Sequence, residues 1–256
     1  MAKAKTITTT LLLIWCITPL LFLVFLSVSI QWLYPHILPQ AITGVHWHSI
    51  FTPYNNITQS AAASLLIAII VATLAVAVGF VVARFIAYHK YAKRLLTLAY
   101  FPFAISPVIF AVSLKFYFLK FGLAGNILGI IIGQLIIAIP YSIIFFTSFW
   151  NNSVHNLLNV AATLGSPYYY TMRHVVLPQA KPFIITCFFQ CFLISWFEYG
   201  LTTVLGYGKV PTLTIKVYQY ISEANTYNAA LCCCLLIIPP LLLLWINKKI
   251  FLKHTS

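Results

Sequence analysis

Six long apolar runs dominate this sequence, and each is long enough to cross a lipid bilayer as a helix. A membrane-spanning helix needs about twenty consecutive, mostly apolar residues. The runs cover residues 9–30, 61–84, 95–114, 122–150, 183–205 and 229–247. Because the stretches between them are too short for a soluble domain, we predict an all-α integral membrane protein with six transmembrane helices.

The amino-acid composition excludes a soluble globular protein. Of the 256 residues, 62% are hydrophobic and only 7% are charged, whereas about a quarter are charged in a soluble domain. The formal net charge of +13 comes from fifteen basic and two acidic residues. The basic residues lie between or beside the apolar runs, where Lys and Arg set topology and contact lipid headgroups. We therefore expect membrane lipids, and no nucleic acid, among the partners.

The distribution of Lys and Arg predicts the orientation. With the N-terminus inside, only four of the fifteen basic residues fall in outer segments: Lys115, Lys120, Lys209 and Lys216. Cytoplasmic loops carry the excess of basic residues, so both termini are expected in the cytoplasm. Residues 31–59 carry no Lys or Arg and are expected at the outer interface. The first run is too long for a signal peptide and lacks a cleavage site, so we interpret it as a retained helix.

Several side chains that could bind metal are better explained without one. All six cysteines lie inside apolar runs, where a thiol behaves as a small apolar side chain. His36, His46 and His48 lie in an aromatic loop without the spacing of a metal site, and we interpret them as interface residues. No metal and no cofactor are predicted. The chain also lacks paired carboxylates and the catalytic serine and zinc motifs, which argues against an intramembrane enzyme.

The stretch from Asn159 to Pro182, "NVAATLGSPYYYTMRHVVLPQAKP", is polar among oily surroundings. A helical apolar stripe precedes Gly165, and it comprises Leu157, Val160, Ala161 and Leu164. Gly165 is expected to end this helix. Ser166 and Pro167 are expected to start a second one, which should stop near Pro178 because a proline disfavours helix at the residue before it. The physical pattern fits either an amphipathic interfacial loop or a docking surface for a cytoplasmic partner.

This segment resembles the cytoplasmic signature loop of the permeases of binding-protein-dependent ABC importers. The family pattern is a Glu-Ala-Ala triplet, a Gly after it, and an Ile/Val-x-Leu-Pro ending. The residues that align with this pattern are Asn159, Val160, Ala161, Leu164, Gly165, Val176, Leu177 and Pro178. Arg173 lies between the aligned Gly165 and Pro178. The sequence departs from the pattern at Asn159, where the family has Glu, and at Val160, where it has Ala. Asn159 can form hydrogen bonds but cannot form an ion pair with a basic residue of an ATPase.

The resemblance implies a fold, a domain arrangement and a set of partners. It implies a type I permease fold, with a first helix and periplasmic loop at 1–59, a transmembrane domain at 60–249 and a short cytoplasmic tail at 250–256. Residues 151–181 would couple to a separate cytoplasmic ATPase, because the chain has no phosphate-binding G-x-x-x-x-G-K-[ST] motif of its own. A second permease subunit and an extracytoplasmic solute-binding protein would complete the importer. Such a permease is a transport subunit and not an enzyme.

A polar run near the end of the fifth apolar run is the candidate translocation path. It contains Ser195, Glu198, Thr202 and Thr203. An acid inside a membrane marks function by default, although a structural hydrogen bond between helices is the alternative for Glu198. Residues 206–221 resemble the corresponding segment of polyamine, thiamine and iron permeases, so the resemblance implies a small cationic or organic solute such as a polyamine or thiamine.

Two sets of small residues predict close helix contacts. The fourth run carries Gly125, Gly129 and Gly133 at four-residue spacing, and the second run carries a broad face of Ser, Ala and Gly residues. Small residues allow helix backbones to approach in a membrane, and the pattern leaves open whether the contact is within the chain or in a dimer. The alternative function is a stand-alone secondary transporter or channel, which should show internal repeats, broken spans or several intramembrane charges.

Overall fold

Helices make up most of the part of this chain that the structure describes. A computed structural model describes residues 2–30, 32, 39–48, 50 and 56–252, so His36 and the tail from residue 253 lie outside the described part. Within it, five helices are long and apolar enough to cross a membrane: Thr8–Ser27, Ile57–Ala87, Ile127–Thr147, Tyr168–Trp196 and Thr226–Trp245. The bent pair Ala92–Ala104 and Pro107–Lys120 provides a sixth crossing if it counts as one span. The predicted all-α membrane fold is therefore confirmed.

The chain divides into two compact units, of which the first contains residues 1–63 and 211–239. Its elements are α1 (Ala2–Ser27), β1 (Ser29–Ile30), β2 (Ala41–Ile42), α2 (Val45–His48), α11 (Leu213–Ser222) and the first half of α12 (Thr226–Leu252). The two short strands pair antiparallel. The Tyr227 phenol oxygen accepts from the Trp32 backbone N–H at 2.6 Å, and the Tyr227 ring stacks on His46. These contacts fix the end of α1 and the start of α12 within the unit.

The second unit contains residues 64–210 and 240–256. Its elements are α3 (Ile57–Ala87, from residue 64 onward), α4 (Ala92–Tyr100), a 3₁₀ turn (Phe101–Ala104), α5 (Pro107–Lys120), α6 (Ile127–Thr147), α7 (Asn152–Thr163), α8 (Tyr168–Thr171), a π-helical turn (Met172–Val176), α9 (Leu177–Trp196) and α10 (Gly200–Gly206). All the candidate transport residues lie here.

Helices α3 and α6 touch along the small-residue face predicted for the second run. Ser64, Ala68, Ala72, Ala75, Gly79 and Ala83 are all buried. The Ser142 hydroxyl donates to the Ala75 carbonyl at 2.5 Å, and a Cβ on Gly79 would lie only 1.5 Å from the Ser142 oxygen. Small residues on one helix thus admit a serine of the other, which is the close contact that membrane helices favour.

The third apolar run, which the sequence predicts as one span over 95–114, is bent in the structure. The helical axis turns by 94° between Ala104 and Pro107. Ile105 and Ser106 are extended, with ψ of 137° at both residues. Pro107 restricts the residue before it to extended geometry and cannot continue a helix from upstream, although it is well suited to begin one. The bend therefore follows from the Ser-Pro step.

The helix after Gly165 continues into the fifth span, which corrects the predicted stop near Pro178. Residues Tyr168–Trp196 form one continuous helical rod, with a π-helical turn at Met172–Val176 just before Pro178. A proline inside a regular helix clashes with the carbonyl four residues earlier. The wider turn changes that spacing, and Pro178 falls in the first turn of α9, where a missing N–H costs little. The rod then ends at Trp196, earlier than the predicted 205.

The fourth run begins with a turn and not with a helix. The prediction that its three glycines form one helix-packing face is therefore wrong. Gly125 has φ of +73° and precedes α6, and its N–H donates to the Leu205 carbonyl at 2.8 Å. Gly129 and Gly133 lie in α6, but a Cβ on Gly129 would meet the Leu123 carbonyl and one on Gly133 would meet side chains of α10. The three glycines therefore contact different parts of the chain and do not form one helix face.

Replacing Gly79 with Val is expected to destabilise the protein by about 1–3 kcal/mol, the usual cost of overpacking a well-filled contact. The added side chain would displace Ser142 and separate α3 from α6. A fall in the midpoint of thermal denaturation in detergent would show the effect. Gly44→Val is the matched control, because a Cβ on Gly44 has no neighbour within 4 Å. Equal midpoints for the two variants would contradict the contact.

Candidate functional sites

The helix α7 in the 151–181 loop is capped at both ends. The Asn151 side chain accepts from the Val154 backbone N–H at 3.1 Å at the start. At the other end Gly165 adopts φ of +78°. The Gly165 N–H donates to the Ala162 carbonyl and the Ser166 N–H donates to the Ala161 carbonyl, both at 3.0 Å. This bonding pattern is the Schellman motif, which ends a helix on a left-handed glycine. The helix and glycine turn thus have the geometry that the sequence predicts.

Two of the four residues in the apolar stripe of α7 are exposed in the described chain. Val160 is 58% exposed and Leu164 is 82% exposed. Asn159 is also exposed, while Leu157 and Ala161 are half-buried. Leu164 is the most exposed large hydrophobic side chain among the described residues.

The rest of the loop is ordered by contacts among its own residues. The helix α8 begins after Pro167, so Ser166 does not cap it as predicted, and its hydroxyl instead lies 2.9 Å from that of Thr171. The Arg173 guanidinium donates to the Tyr169 phenol at 3.4 Å. Leu177 and Pro178 are exposed in the first turn of α9.

Arg84 at the end of α3 and Tyr88 just after it contact this loop, Phe80 supports them from one turn earlier through Trp150, and sequence reasoning missed all three. Phe80, Arg84 and Tyr88 follow one another at four-residue spacing, and we call them the α3 stripe. The Arg84 guanidinium donates to the Tyr168 phenol oxygen and lies 4.6 Å from the centre of that ring. Arg84 was interpreted from the sequence only as a topology signal. The four-residue spacing of an aromatic, a cation and an aromatic was the signal that could have identified it.

Tyr88 contacts the start of α7. Its ring centre lies 4.5 Å from that of His155, and its hydroxyl donates to the Asn151 carbonyl at 3.4 Å. Burial raises the pKa of the Tyr88 phenol, and the nearby Arg84 charge opposes this rise with a smaller effect. The hydroxyl therefore stays protonated near neutral pH and remains a donor.

A buried polar network joins three helices where the sequence predicted the translocation path. The Ser195 hydroxyl of α9 donates to the Gln134 amide oxygen of α6. The Gln134 amide nitrogen donates to the Thr202 hydroxyl of α10 at 3.1 Å. All three side chains are at most 6% exposed. Gln134 was missed, although a lone amide in the apolar run "IIIGQLIIAI" is itself a signal for a buried hydrogen-bonding partner.

Glu198 lies in the break between α9 and α10, not inside a span-five helix as predicted. Its carboxylate accepts from the Leu201 backbone N–H at 2.7 Å, so it caps the start of α10. It also lines a small cavity together with Val71, Gln134, Ile137, Ile194 and Ser195. Thr203 is exposed, and its hydroxyl donates to the Tyr199 carbonyl at 2.8 Å. The structure thus joins Ser195 and Thr202 to Gln134, places Glu198 at the cavity beside them and leaves Thr203 outside.

The described residues contain no group of three or more His, Cys, Asp or Glu side chains that could hold a metal ion.

Comparisons with known proteins agree on one family. The family described as "Binding-protein-dependent transport system inner membrane component" matches residues 75–253. The spermidine/putrescine transport system permease protein PotC of Haemophilus influenzae is 25% identical over 189 residues, which cover 72% of this chain and 73% of that protein. PotC of Escherichia coli K12 is 22% identical over 179 residues, which cover 68% of this chain and 67% of that protein. The matched region includes the 151–181 loop and the Gln134 network.

A double-mutant cycle on Gln134→Leu and Thr202→Val is expected to give a coupling free energy of about 0.6–1.7 kcal/mol, the range for hydrogen bonds between membrane helices. The two side chains share one buried bond, so the second change should cost less once the first is made. Unfolding of the purified protein in mixed micelles would measure it. The control pair is Gln134→Leu with Thr203→Val, because the Thr203 hydroxyl bonds within its own helix turn. Coupling of the same size in both pairs would contradict the network.

Proposed function

Because the chain belongs to the family of binding-protein-dependent transport system inner membrane components, we propose that it carries a small cationic solute, of the polyamine class, across the membrane at the expense of ATP hydrolysed by another chain. The protein is a multi-pass inner-membrane permease subunit of an ABC importer. In this proposal it pairs with a second permease subunit, and an extracytoplasmic binding protein delivers the solute. Family membership sets aside the alternative of a stand-alone transporter, even though the third span is bent.

The exposed apolar end of α7 is the observation that supports coupling through the 151–181 loop. Val160 and Leu164 present an apolar surface on a helix fixed by a cap at each end. An amphipathic helix of this kind binds by placing its apolar face in a groove of a partner. The proposed partner is the cytoplasmic ATPase, and the excess of Lys and Arg in the inner segments supports the cytoplasmic side for this loop and for both termini. Asn159 would contribute hydrogen bonds to that contact.

The names of the relatives and the chemistry of the Glu198 cavity support a polyamine. PotC is a spermidine/putrescine permease protein in both bacteria. A polyamine carries several ammonium groups, which a buried carboxylate attracts and neutral oxygen atoms can accept from. Glu198 supplies the carboxylate, and Gln134 and Ser195 line the same cavity, which has a volume of about 10 Å³ and would have to open to admit the solute. We assign the translocation path to Ser195, Glu198 and Thr202, with Thr203 at its edge.

Capture of this chain from a mild detergent extract is expected to recover an ATP-hydrolysing subunit. Gly165→Val should lower that recovery about five- to thirtyfold, because a β-branched residue at φ of +78° costs about 1–2 kcal/mol and reorients Leu164. The amount of ATPase per permease, measured by quantitative mass spectrometry, decides the result.

Gly208→Val is the matched control for that experiment. Gly208 also has a positive φ, of +69°, and like Gly165 has no atom within 4 Å of an added Cβ, but it lies outside the loop. If the wild-type chain is captured without an ATPase and its transport ignores ATP, the proposed function is wrong. If both glycine variants keep the ATPase, the 151–181 loop is not the coupling site.

Glu198→Gln is expected to lower ATP-dependent uptake of spermidine by about tenfold, since it removes the negative charge from a partly buried site where charge interactions are strong. The amide oxygen of Gln can still accept from the Leu201 N–H, so the α10 cap is kept. Uptake of radiolabelled spermidine into proteoliposomes gives the measurement. Glu223→Gln is the control, because Glu223 is the other acid of the chain and is exposed. Equal uptake by the two variants would remove Glu198 from the path.

A further inference from the structure

The α3 stripe contacts the loop on both sides of α7. Phe80 and Arg84 share one face of α3 because residues four apart lie above one another on a helix, and Tyr88 directly follows the last residue of α3, with its N–H bonded to the Arg84 carbonyl at 3.4 Å. The Arg84 guanidinium lies between two rings, 4.6 Å from the centre of Tyr168 and 5.7 Å from the centre of Trp150. Trp150 directly precedes the Asn151 cap of α7, and Tyr168 follows the Gly165 turn. The Arg84 side chain therefore bridges the residue before α7 and the residues after it.

Trp150 is itself fixed to α3. Its indole N–H donates to the Phe80 carbonyl at 3.0 Å, and its ring centre lies 4.9 Å from that of Phe80. Phe80 also packs edge-on against Phe146 in the last turns of α6. Tyr88 adds a hydrogen bond to the Asn151 carbonyl and a ring contact with His155. The α3 stripe and the 151–181 loop are therefore joined at several points, and a movement of the loop moves the end of α3.

Arg84 meets aromatic and phenolic groups here because the loop offers no carboxylate. Residues 151–181 contain no Asp or Glu. A guanidinium over an aromatic face gains about 0.5–2 kcal/mol, more as water is excluded, and the planar fork can also donate to a phenol. Lys has the charge but not the planar surface, so the two basic residues are not equivalent at this position.

The far part of α3 reaches the candidate translocation path. Val71 on α3 lines the cavity that contains Gln134, Ser195 and Glu198. Thirteen residues separate Val71 from Arg84, which corresponds to about 20 Å along a helix. The intervening face is seated on α6 through Gly79 and Ala75. Arg84 and Val71 thus belong to one continuous helix, which can transmit a displacement of Arg84 to the cavity.

We propose that the α3 stripe is the joint that transmits movement of the 151–181 loop to the translocation path, and that Arg84 is its positioning residue. This inference rests on the proposed function, because it needs an ATPase to move the loop. The 151–181 loop and the end of α3 then rotate as one rigid body, and α3 transmits this rotation to Val71 beside the cavity. Arg84 touches neither ATP nor solute in this scheme.

Arg84→Gln is expected to lower the spermidine transported per ATP hydrolysed by about fivefold, the loss that one partly desolvated cation–π contact implies. ATPase recovery should stay at the wild-type value, because the α7 face and caps are unchanged, and the thermal midpoint should fall by only about 2–4 °C, the shift that about 1 kcal/mol produces at this chain length. Arg84→Lys should lose about twofold, since it keeps the charge alone. The measurement is uptake and phosphate release on the same proteoliposomes, with the whole complex captured through this chain.

Arg94→Gln is the matched control. Its guanidinium also lies over an aromatic ring, 5.5 Å from the centre of Tyr91, but in the α4 segment. The joint is wrong, and the proposed function is unaffected, if Arg84→Gln keeps the wild-type ratio of spermidine transported to ATP hydrolysed. The same conclusion follows if Arg84→Gln and Arg94→Gln lower this ratio equally. Loss of the ATPase subunit from Arg84→Gln would also overturn the joint, since Arg84 would then serve docking. A wild-type complex without ATP-dependent uptake would instead defeat the proposed function.

A cross-linking rescue tests the joint without depending on the native side chains. Arg84→Cys with Tyr168→Cys, in a Cys16→Ser background because Cys16 is exposed, should show the same lowered stoichiometry. A short bis-methanethiosulfonate, which joins the two thiols through disulfides and releases methanesulfinate, should restore it, and reduction of those disulfides by dithiothreitol should reverse the effect. If the cross-link leaves the stoichiometry low or stops uptake, loop and helix must move relative to each other, and the joint is wrong.

Discussion

Inside a bilayer, polar groups have no water to bond and must find partners within the protein. This constraint determines how the helices of the second unit approach one another. Gln134 in α6 needs both ends of its amide satisfied, and it meets Ser195 of α9 and Thr202 of α10. The three helices can therefore approach only in the arrangement that completes this network. The apolar side chains around Gln134 could pack in many helix arrangements of similar free energy in lipid. The hydrogen bonds of the Gln134 amide favour one of these arrangements.

The same constraint explains where the backbone departs from regular helix. Pro107 begins α5 after a bend, Pro178 follows a π-helical turn, and the chain breaks at Phe197–Tyr199 before α10. Each break frees backbone groups, which at membrane depth are tolerated only when protein groups bond to them. At the last break Glu198 accepts from the Leu201 N–H. The carboxylate beside the candidate path thus also supports the fold, because it caps α10.

Local patterns predicted the parts of this structure that depend on neighbouring residues. Run length predicted the spans, and a helical stripe before Gly165 predicted α7 and its turn. The prediction failed where the cause lies far along the chain. Arg84 finds Tyr168 eighty-four residues later and Gln134 finds Thr202 sixty-eight residues later, and no periodicity contains such pairs. Four-residue spacing likewise placed Gly125 in a helix, because a turn glycine at positive φ and a helix glycine look the same in sequence.

The departure at Asn159 has a physical consequence for the proposed docking. An exposed ion pair contributes about 0–1 kcal/mol, so losing the family carboxylate removes little free energy. Burying an exposed Leu contributes about 1.5–3 kcal/mol, and each extra methylene about 0.8 kcal/mol. Leu164 is 82% exposed, and Val160 stands where the family has the smaller Ala. In the proposed docking, the larger side chain of Val160 would offset the missing charge, and the contact with the ATPase would be less sensitive to salt, since screening weakens ion pairs and leaves apolar burial in place.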